Sequence, residues 1–503
     1  MNSRNRNMLL NGGASIVQQV ISLLCGLIVP QLIIGTYGSA VNGTISSITQ
    51  FISIASLFQG GIAGASRVAF YKPVANEDYE GISKVYQVSK SFFRKFSLIL
   101  IFYVIGLSLI YPAMVDTPFD YLDALLLVVI IGLSAIFEYL FGAVNMLLLF
   151  ASQKAYINII LQGMCTLVSS ITAIVLIRNG QSILVVKAVS ACILLCRPLL
   201  LSVITNRIYP INKKIAPDKY ELKQSGAALS KSIAFYVHTS TDTIVITSFL
   251  NVSWVSVYAV HKYVVGSISS FIASVLSNTE ALFGQILSLD DREAVNKEIP
   301  VYDLLSKMIS AIFFFTTITL LNTFVSIYTK GVTDINYNQP VFAFLYIAGE
   351  MFYCMSLTYN NLIMAAGHIK QTQWISISEA AINIALSVLL VWNFGIIGVA
   401  IGTLIAFVFN SVANVVYVYR HISKMSISFI IKSYLVNIMT GCIIAFVLSK
   451  LNCFNVSSYI MFFAFAFIVF VIMTLIIIGA NYLFFKEYMN VVLNALKTKL
   501  IKR

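Results

Sequence analysis

Nine ionisable side chains lie inside long apolar runs of the sequence, where a charge is costly. They are Glu138, Arg197, His238, Asp242, His261, Lys262, Glu280, Glu350 and Glu379. A charge within hydrocarbon loses several kcal/mol of hydration, so such residues pair with each other, face water or meet a charged ligand. Each is therefore a candidate for ligand binding or ion transfer.

Asp242 and Lys262 occupy matching positions on either side of a short turn. Each lies ten residues from a turn near Val252, which places both at a depth of about 15 Å on adjacent antiparallel helices. His238 lies one helical turn from Asp242 on the same face. The arrangement fits a proton- or cation-responsive cluster, and it fits a structural ion pair that closes a helical hairpin equally well.

Arg197 directly precedes Pro198 near the middle of an apolar run. Proline removes a backbone hydrogen bond and kinks the helix that contains it. A guanidinium beside such a kink, facing water, suits a bidentate contact to phosphate. The alternative is that the side chain reaches back to the membrane surface.

The composition is that of an integral membrane protein. The chain has 503 residues, of which 59% are hydrophobic and only 11% charged, and its mean hydropathy is +0.88. A soluble protein carries about 25% charged residues. A soluble enzyme, a nucleic-acid-binding protein and a disordered scaffold are therefore excluded, and basic cytoplasmic loops explain the net charge of +13.

Apolar runs bounded by charge, glycine and proline predict an all-α polytopic fold with about fourteen membrane-spanning helices. The predicted spans are 9–34, 42–66, 92–113, 121–150, 155–177, 182–206, 226–250, 254–286, 301–327, 339–366, 372–393, 396–419, 430–449 and 456–484. Lysine and arginine concentrate in alternate connections, Lys307 being counted with the cytoplasmic ones. This pattern predicts that both termini are cytoplasmic.

Nothing in the sequence predicts an enzyme. No hydrophilic segment is long enough to fold as a catalytic or nucleotide-binding domain. Phosphate-loop, dinucleotide-binding and zinc-protease motifs do not occur. Cys192 and Cys196 lie one turn apart without a histidine or carboxylate beside them, which favours small apolar helix residues over a metal site. We expect no catalytic residue, no metal and no cofactor.

The chain carries signs of an internal repeat. The stretches Asn145–Lys154 and Asn361–Lys370 each end a long span and enter a short turn with one lysine. Six spans on each side of the repeat boundary predict parallel six-helix lobes around a central cleft, a transporter plan. We expect an N-terminal lobe at 1–210, a C-terminal lobe at 211–425, and two extra spans with a basic tail at 426–503.

Glu138 and Glu350 fall in spans 4 and 10, which this repeat makes equivalent, and both lie on the same helix face. Glu280 and Glu379 are predicted closer to the cytoplasmic interface, where solvation alone explains a carboxylate.

Two runs of the sequence resemble a known family. They are Ser376–Ser387, with Glu379 and Asn383, and Gly395–Thr403, with Gly398 and Gly402. Together with Ala366–Thr372, Ala151–Tyr156 and the stretch 241–259, they look like the pattern of Wzx-type polysaccharide flippases. These belong to the multidrug/oligosaccharidyl-lipid/polysaccharide exporter superfamily.

The resemblance implies a bacterial inner-membrane flippase. Such a protein moves an undecaprenyl-diphosphate-linked oligosaccharide repeat unit to the outer leaflet by alternating access, for capsule, O-antigen or other surface polysaccharide export. It implies that a proton or Na⁺ gradient drives the cycle, and that a polysaccharide polymerase and glycosyltransferases are partners.

The resemblance also implies roles for individual residues. Arg197 and Lys262 are the expected cationic contacts to the diphosphate, and Arg67, at the cytoplasmic end of span 2, is expected to receive the headgroup first. The expected ion-coupling residues are Asp242, Glu138, Glu350 and His238. The spans hold more acids than bases, which leaves the acidity of the sugar open.

Three other functions remain open at this point. An ion-coupled multidrug or cation antiporter of the same superfamily would use acids in the cleft to bind an organic cation. A lipid II flippase is close in mechanism and poorly separated by sequence. A membrane polysaccharide polymerase is disfavoured, because the longest predicted outer loop, near 328–340, carries only Lys330 and Asp334 as charged residues.

Overall fold

The computed structural model describes residues 3–212, 215, 236, 240–288, 292–423, 425–450 and 458–501. Across these ranges every regular element is helical, which confirms the predicted all-α class. The described residues contain 12 helices that are long and apolar enough to cross a membrane. The protein is a multi-pass membrane protein.

The contacts divide the chain into two compact units. Unit 1 comprises Met1–Val257 with Gly331–Ile335, and unit 2 comprises Tyr258–Lys330 with Asn336–Arg503. The predicted lobe boundary near residue 210 falls just before a stretch that is mostly outside the described residues. The predicted division into 1–210, 211–425 and 426–503 therefore stays a prediction.

Unit 1 is built from the first nine helices and the start of the tenth. Their bounds are α1 Ser3–Tyr37, α2 Ser39–Ile52, α3 Ala55–Ala75, α4 Tyr79–Met114, α5 Tyr121–Phe137, α6 Ala143–Ala151, α7 Ala155–Arg178, α8 Ile183–Ile208 and, in its described part, α9 240–249. A π-helical segment, Glu138–Gly142, joins α5 to α6.

Unit 2 contains most of α10 and all the helices that follow. Their bounds are α10 Val252–Leu276, α11 Asn278–Ser288, α12 Arg292–Tyr328, α13 Pro340–Met355, α14 Leu357–Ala365, α15 Ile369–Phe394, α16 Ile396–His421, α17 Ile427–Lys450, α18 Tyr459–Phe484 and α19 Lys486–Ile501.

Two of the fourteen predicted spans have no counterpart among the 12 membrane-spanning helices of the described residues. Span 2, predicted at 42–66, is divided into α2 and α3, neither of which alone meets the length and hydropathy of a span. Span 7, predicted at 226–250, lies mostly outside the described residues.

Serine hydroxyls mark three of the helix breaks. Ser53, between α2 and α3, donates to the carbonyl of Gln50 at 2.7 Å. Ser277, between α10 and α11, and Ser356, between α13 and α14, donate in the same way to the carbonyl three residues earlier, each at 2.8 Å. Such hydroxyls compete for helical carbonyls and bend the helix. The three serine breaks fall in predicted spans 2, 8 and 10, and the π segment interrupts predicted span 4.

These breaks interrupt the backbone hydrogen bonding of helices inside the predicted spans. Discontinuous helices expose carbonyl and amide groups that lie near substrate and ion sites in transporters. Spans 2 and 8, and spans 4 and 10, are equivalent pairs in the predicted repeat.

Candidate functional site

An arginine, a glutamate and an asparagine meet inside unit 1. Arg197 on α8 donates from Nη1 to Glu138 Oε2 at 3.2 Å and from Nη2 to Asn158 Oδ1 on α7 at 3.0 Å. The side chains of Arg197 and Glu138 are only 15% and 26% exposed. The pair brings together a residue predicted to bind substrate and one predicted to couple ions, a contact that the sequence analysis does not predict.

Local backbone geometry makes room for this contact. Glu138 begins the π segment, and a Cβ added at Gly142 would lie 2.9 Å from Glu138 Oε1. A side chain at position 142 would therefore displace the carboxylate. Asn145, one turn further on, donates from Nδ2 to the carbonyl of Phe141 at 2.6 Å and accepts from the Tyr86 hydroxyl at 3.1 Å. It thereby satisfies a carbonyl within the irregular turn.

Arg197 keeps hydrogen-bonding capacity after these contacts. Its Nε is buried and has no hydrogen-bond partner among the described residues. A guanidinium offers five N–H groups in a planar fork, and an unmet buried donor is costly. An anionic oxygen at this edge would satisfy it, which is the chemistry expected of a phosphate contact.

Arg67 lies on α3, as predicted for the end of span 2. Its guanidinium carbon is 4.1 Å from the ring centroid of Phe150, at the end of α6. Its Nε is also buried without a hydrogen-bond partner in the part of the chain that the structure describes. A cation over an aromatic face is held in place while its donors stay available.

In unit 2, Glu350 and Lys262 lie in different local environments. Glu350 on α13 is 7% exposed and accepts a hydrogen bond from the Ser269 hydroxyl on α10 at 2.7 Å. The Lys262 ammonium lies 5.5 Å from the Tyr258 ring centroid, one turn earlier on α10. Glu350 therefore has a neutral donor where Glu138, its predicted equivalent, has an arginine.

The predicted Asp242–Lys262–His238 cluster stays a prediction. Asp242 is buried on α9, with 4% exposure. It belongs to unit 1 and Lys262 to unit 2, and His238 lies outside the described residues.

Glu379, which is predicted to lie closer to the cytoplasmic interface, is buried within unit 2. It is 8% exposed on α15 and accepts a hydrogen bond from Asn410 on α16, whose Oδ1 in turn accepts from Asn414 at 2.7 Å. One helical turn further along α15, Asn383 donates to Thr403 Oγ1 on α16 at 3.0 Å. Carboxamides thus bind a buried carboxylate in unit 2. Glu280, by contrast, is exposed.

A buried ion pair in unit 2 is a feature that the sequence analysis missed. Lys307 Nζ lies 2.6 Å from Asp303 Oδ2, and neither side chain is exposed. The same ammonium donates to Ser433 Oγ on α17 at 2.8 Å and lies 4.1 Å from the Tyr434 ring centroid. Lys307 is counted among the cytoplasmic charges although it lies inside the predicted span 301–327, and that count does not predict its burial within α12. The spacing of four between Asp303 and Lys307 was the available signal.

The fold matches that of solved transporter structures. The lipid II flippase MurJ in an inward closed conformation is similar with a TM-score of 0.70 and 15% identity, over 94% of this chain and 99% of that chain. An inward-facing multidrug resistance MATE family transporter of the MOP superfamily has a TM-score of 0.60 and 15% identity, over 87% and 100%. The MATE multidrug transporter DinF-BH in complex with R6G gives 0.59 and 14%, over 84% and 97%.

At these identities the likeness establishes the fold. A scan against protein-family models finds no match, and a search of the curated proteins finds none either.

Proposed function

We propose that the protein is a flippase for an undecaprenyl-diphosphate-linked oligosaccharide repeat unit in the bacterial cytoplasmic membrane. It works by alternating access, is driven by a proton or Na⁺ gradient and keeps both termini in the cytoplasm. The observation that carries the proposal is Arg197. This arginine lies inside a membrane span, and its Nε has no hydrogen-bond partner among the described residues.

The Arg197–Glu138 pair gives this proposal a physical basis. With its carboxylate partner, the guanidinium is nearly neutral as a unit, which lowers the cost of keeping it in the membrane. A diphosphate carries more charge than one carboxylate and accepts charge-assisted hydrogen bonds from a planar fork. Phosphate oxygens of the substrate could bind at the free Nε of Arg197. They could also replace Glu138 as its partner, which would leave the Glu138 carboxylate free to bind an ion.

Arg67 supports the same substrate class. Its guanidinium is held over Phe150 with a buried, unmet Nε. Two arginines with unmet donors in one unit suit an anionic headgroup better than an organic cation. The structural likeness to MurJ, a lipid II flippase, keeps a lipid II flippase as a second candidate for this chain.

The test uses the lipids that accumulate in the cell. The gene is deleted, undecaprenyl-linked lipids are extracted and analysed by mass spectrometry, and copies encoding wild type, Arg197→Ala or Arg207→Ala are restored. Arg207 is the matched control because it is also an arginine on α8, but lies exposed in its last turn. We expect a lipid-linked oligosaccharide to accumulate on deletion and to be cleared by wild type and Arg207→Ala, not by Arg197→Ala.

Other outcomes identify the alternatives. Accumulation of lipid II alone would assign the second candidate. No accumulated lipid, together with altered sensitivity to cationic drugs, would overturn the flippase proposal in favour of an antiporter.

A further inference from the structure

A groove between α15 and α16 has an aromatic and aliphatic wall and a cationic end. Its volume is about 350 Å³, and its lining includes Trp374, Phe409, Val412, Val416 and Tyr417. Arg420 and His421, in the last turn of α16, complete the lining. From Phe409 to His421 the groove follows α16 over about 18 Å, at 1.5 Å per residue.

The groove is held in shape at its charged end. Tyr417 Oη lies 3.1 Å from His368 Nδ1, which fixes α16 to the residue that precedes α15. The His421 ring stacks on Tyr417 with centroids 4.5 Å apart. Further along, Trp374 packs edge-on against Phe409. The Trp374–Phe409 contact joins α15 to α16, and the Tyr417–His368 contact joins α16 to the residue before α15, so both ends of the groove are closed by packed side chains.

The charges at this end have one sign. They are Arg420 and Lys370, the latter in the first turn of α15, and both are exposed. The α15 N-terminus has no side-chain cap, so its free amides add positive partial charge at the same end. The apolar part meanwhile remains open to the surroundings, with Trp374 52% and Val412 57% exposed.

We propose that this groove binds one anionic glycerophospholipid of the surrounding membrane. An acyl chain lies along Phe409, Val412 and Val416, and the lipid phosphate accepts hydrogen bonds from Arg420. Tryptophan and tyrosine favour the boundary between hydrocarbon and headgroups, where Trp374 and Tyr417 would then lie. Arg420 directly follows the predicted span 396–419, in a connection that the lysine and arginine pattern predicts to be cytoplasmic, so the lipid would belong to the inner leaflet.

A second copy of the chain fits the groove less well. A two-fold dimer through this face would bring Lys370 and Arg420 towards their own copies. Like charges that meet at an interface oppose association. A phospholipid supplies the opposite charge and the apolar chain in one molecule.

The test is native mass spectrometry of the full chain in detergent, titrated with phosphatidylglycerol or with phosphatidylcholine of the same acyl chains. Wild type is expected to retain one phosphatidylglycerol in preference to phosphatidylcholine. Arg420→Gln removes a charge-assisted hydrogen bond and is expected to weaken that binding about tenfold. Arg207→Gln, an exposed arginine in the last turn of α8, is the matched control and should bind like wild type.

Three further arms separate the sources of binding. Ala413→Trp fills the groove and should abolish retention of the preferred lipid, while a circular dichroism spectrum shows that the helices remain. Inorganic phosphate at millimolar concentration should not displace the lipid, because the acyl chain supplies part of the binding. A phosphatidylglycerol with a photoreactive acyl chain should crosslink to peptides containing Val412 or Val416.

The proposal is overturned if Arg420→Gln and Ala413→Trp retain phosphatidylglycerol as wild type does. It is equally overturned if inorganic phosphate alone displaces the lipid. Loss of a dimer mass in Ala413→Trp, without any change in lipid retention, would assign the groove to contact between copies instead.

Discussion

Removal of one partner of the buried Asp303–Lys307 pair should destabilise unit 2 strongly. The two groups are 2.6 Å apart and neither side chain is exposed. A buried charge that loses its counter-charge costs about 3–5 kcal/mol. Asp303→Asn keeps the side-chain volume and removes the charge, so the free energy of unfolding should fall by about 3 kcal/mol. We take the lower end because Ser433 and the Tyr434 ring still contact the ammonium.

Replacement of both partners should cost much less. Asp303→Leu with Lys307→Met leaves no buried charge, and apolar substitutes for buried ion pairs are often neutral or better. We expect this double variant to be about 2 kcal/mol more stable than Asp303→Asn. The assay is equilibrium unfolding of the purified full chain by sodium dodecyl sulfate in mixed micelles, followed by circular dichroism.

The exposed pair Glu80–Lys84 provides the control. It has the same spacing of four and a distance of 2.9 Å, but its side chains are 70% and 47% exposed. Glu80→Gln should change stability by about 0.3–0.5 kcal/mol. The reasoning is refuted if Asp303→Asn changes stability no more than Glu80→Gln, or if the double variant is less stable than Asp303→Asn.

Three further predictions concern contacts that join helices. Gly43→Ala should abolish folding or stable expression, because its Cβ would lie within bonding distance of the Val252 carbonyl in the first turn of α10; membrane yield and gel-filtration profile check this. Asp334→Ala should destabilise the chain by about 1 kcal/mol, measured by detergent unfolding, because the carboxylate caps α2. Asn437→Leu should destabilise by about 1 kcal/mol in the same assay, because it leaves the buried amide of Asn481 without its cross-helix partner.

Two of these variants have an informative comparison. Gly12→Ala is the control for position 43, because a Cβ at Gly12 meets nothing within 4 Å. Normal yield of Gly43→Ala would mean that α2 and α10 are further apart than described. Asp334→Asn should retain part of the cap, since an amide oxygen still accepts a hydrogen bond. Equal losses for Asp334→Asn and Asp334→Ala would contradict this and would mean that the cap depends entirely on the charge.

The helices were predictable because the membrane imposes a strong rule on sequence. About twenty apolar residues between charged boundaries are needed to cross the hydrocarbon. That rule places α7, α15 and α16 within a few residues of their observed ends. It does not predict breaks inside a span, because an apolar run can contain a serine whether or not that serine bends the helix. The division of span 2 at Ser53 was therefore not predictable from hydropathy.

The pairing of charged residues was much less predictable. Glu138 and Arg197 are 59 positions apart in sequence, and the orientation of Glu138 depends on the π segment that it begins. One extra residue in that turn rotates all that follows. Lys307 lies inside the predicted span 301–327, but its count among the cytoplasmic charges does not predict that its ammonium is completely buried beside Asp303.

The most direct test of the proposed function is transport by the purified protein. Proteoliposomes carry an undecaprenyl-diphosphate-linked oligosaccharide, and a lectin outside reports its arrival in the outer leaflet while a proton or Na⁺ gradient is imposed. We predict that wild type and Arg207→Lys move the lipid in a gradient-dependent way. Arg197→Lys should move it about tenfold more slowly, because a lysine ammonium cannot hydrogen-bond Glu138, Asn158 and a phosphate through a planar fork. Movement no faster than in empty liposomes, with or without either gradient, would contradict the proposal.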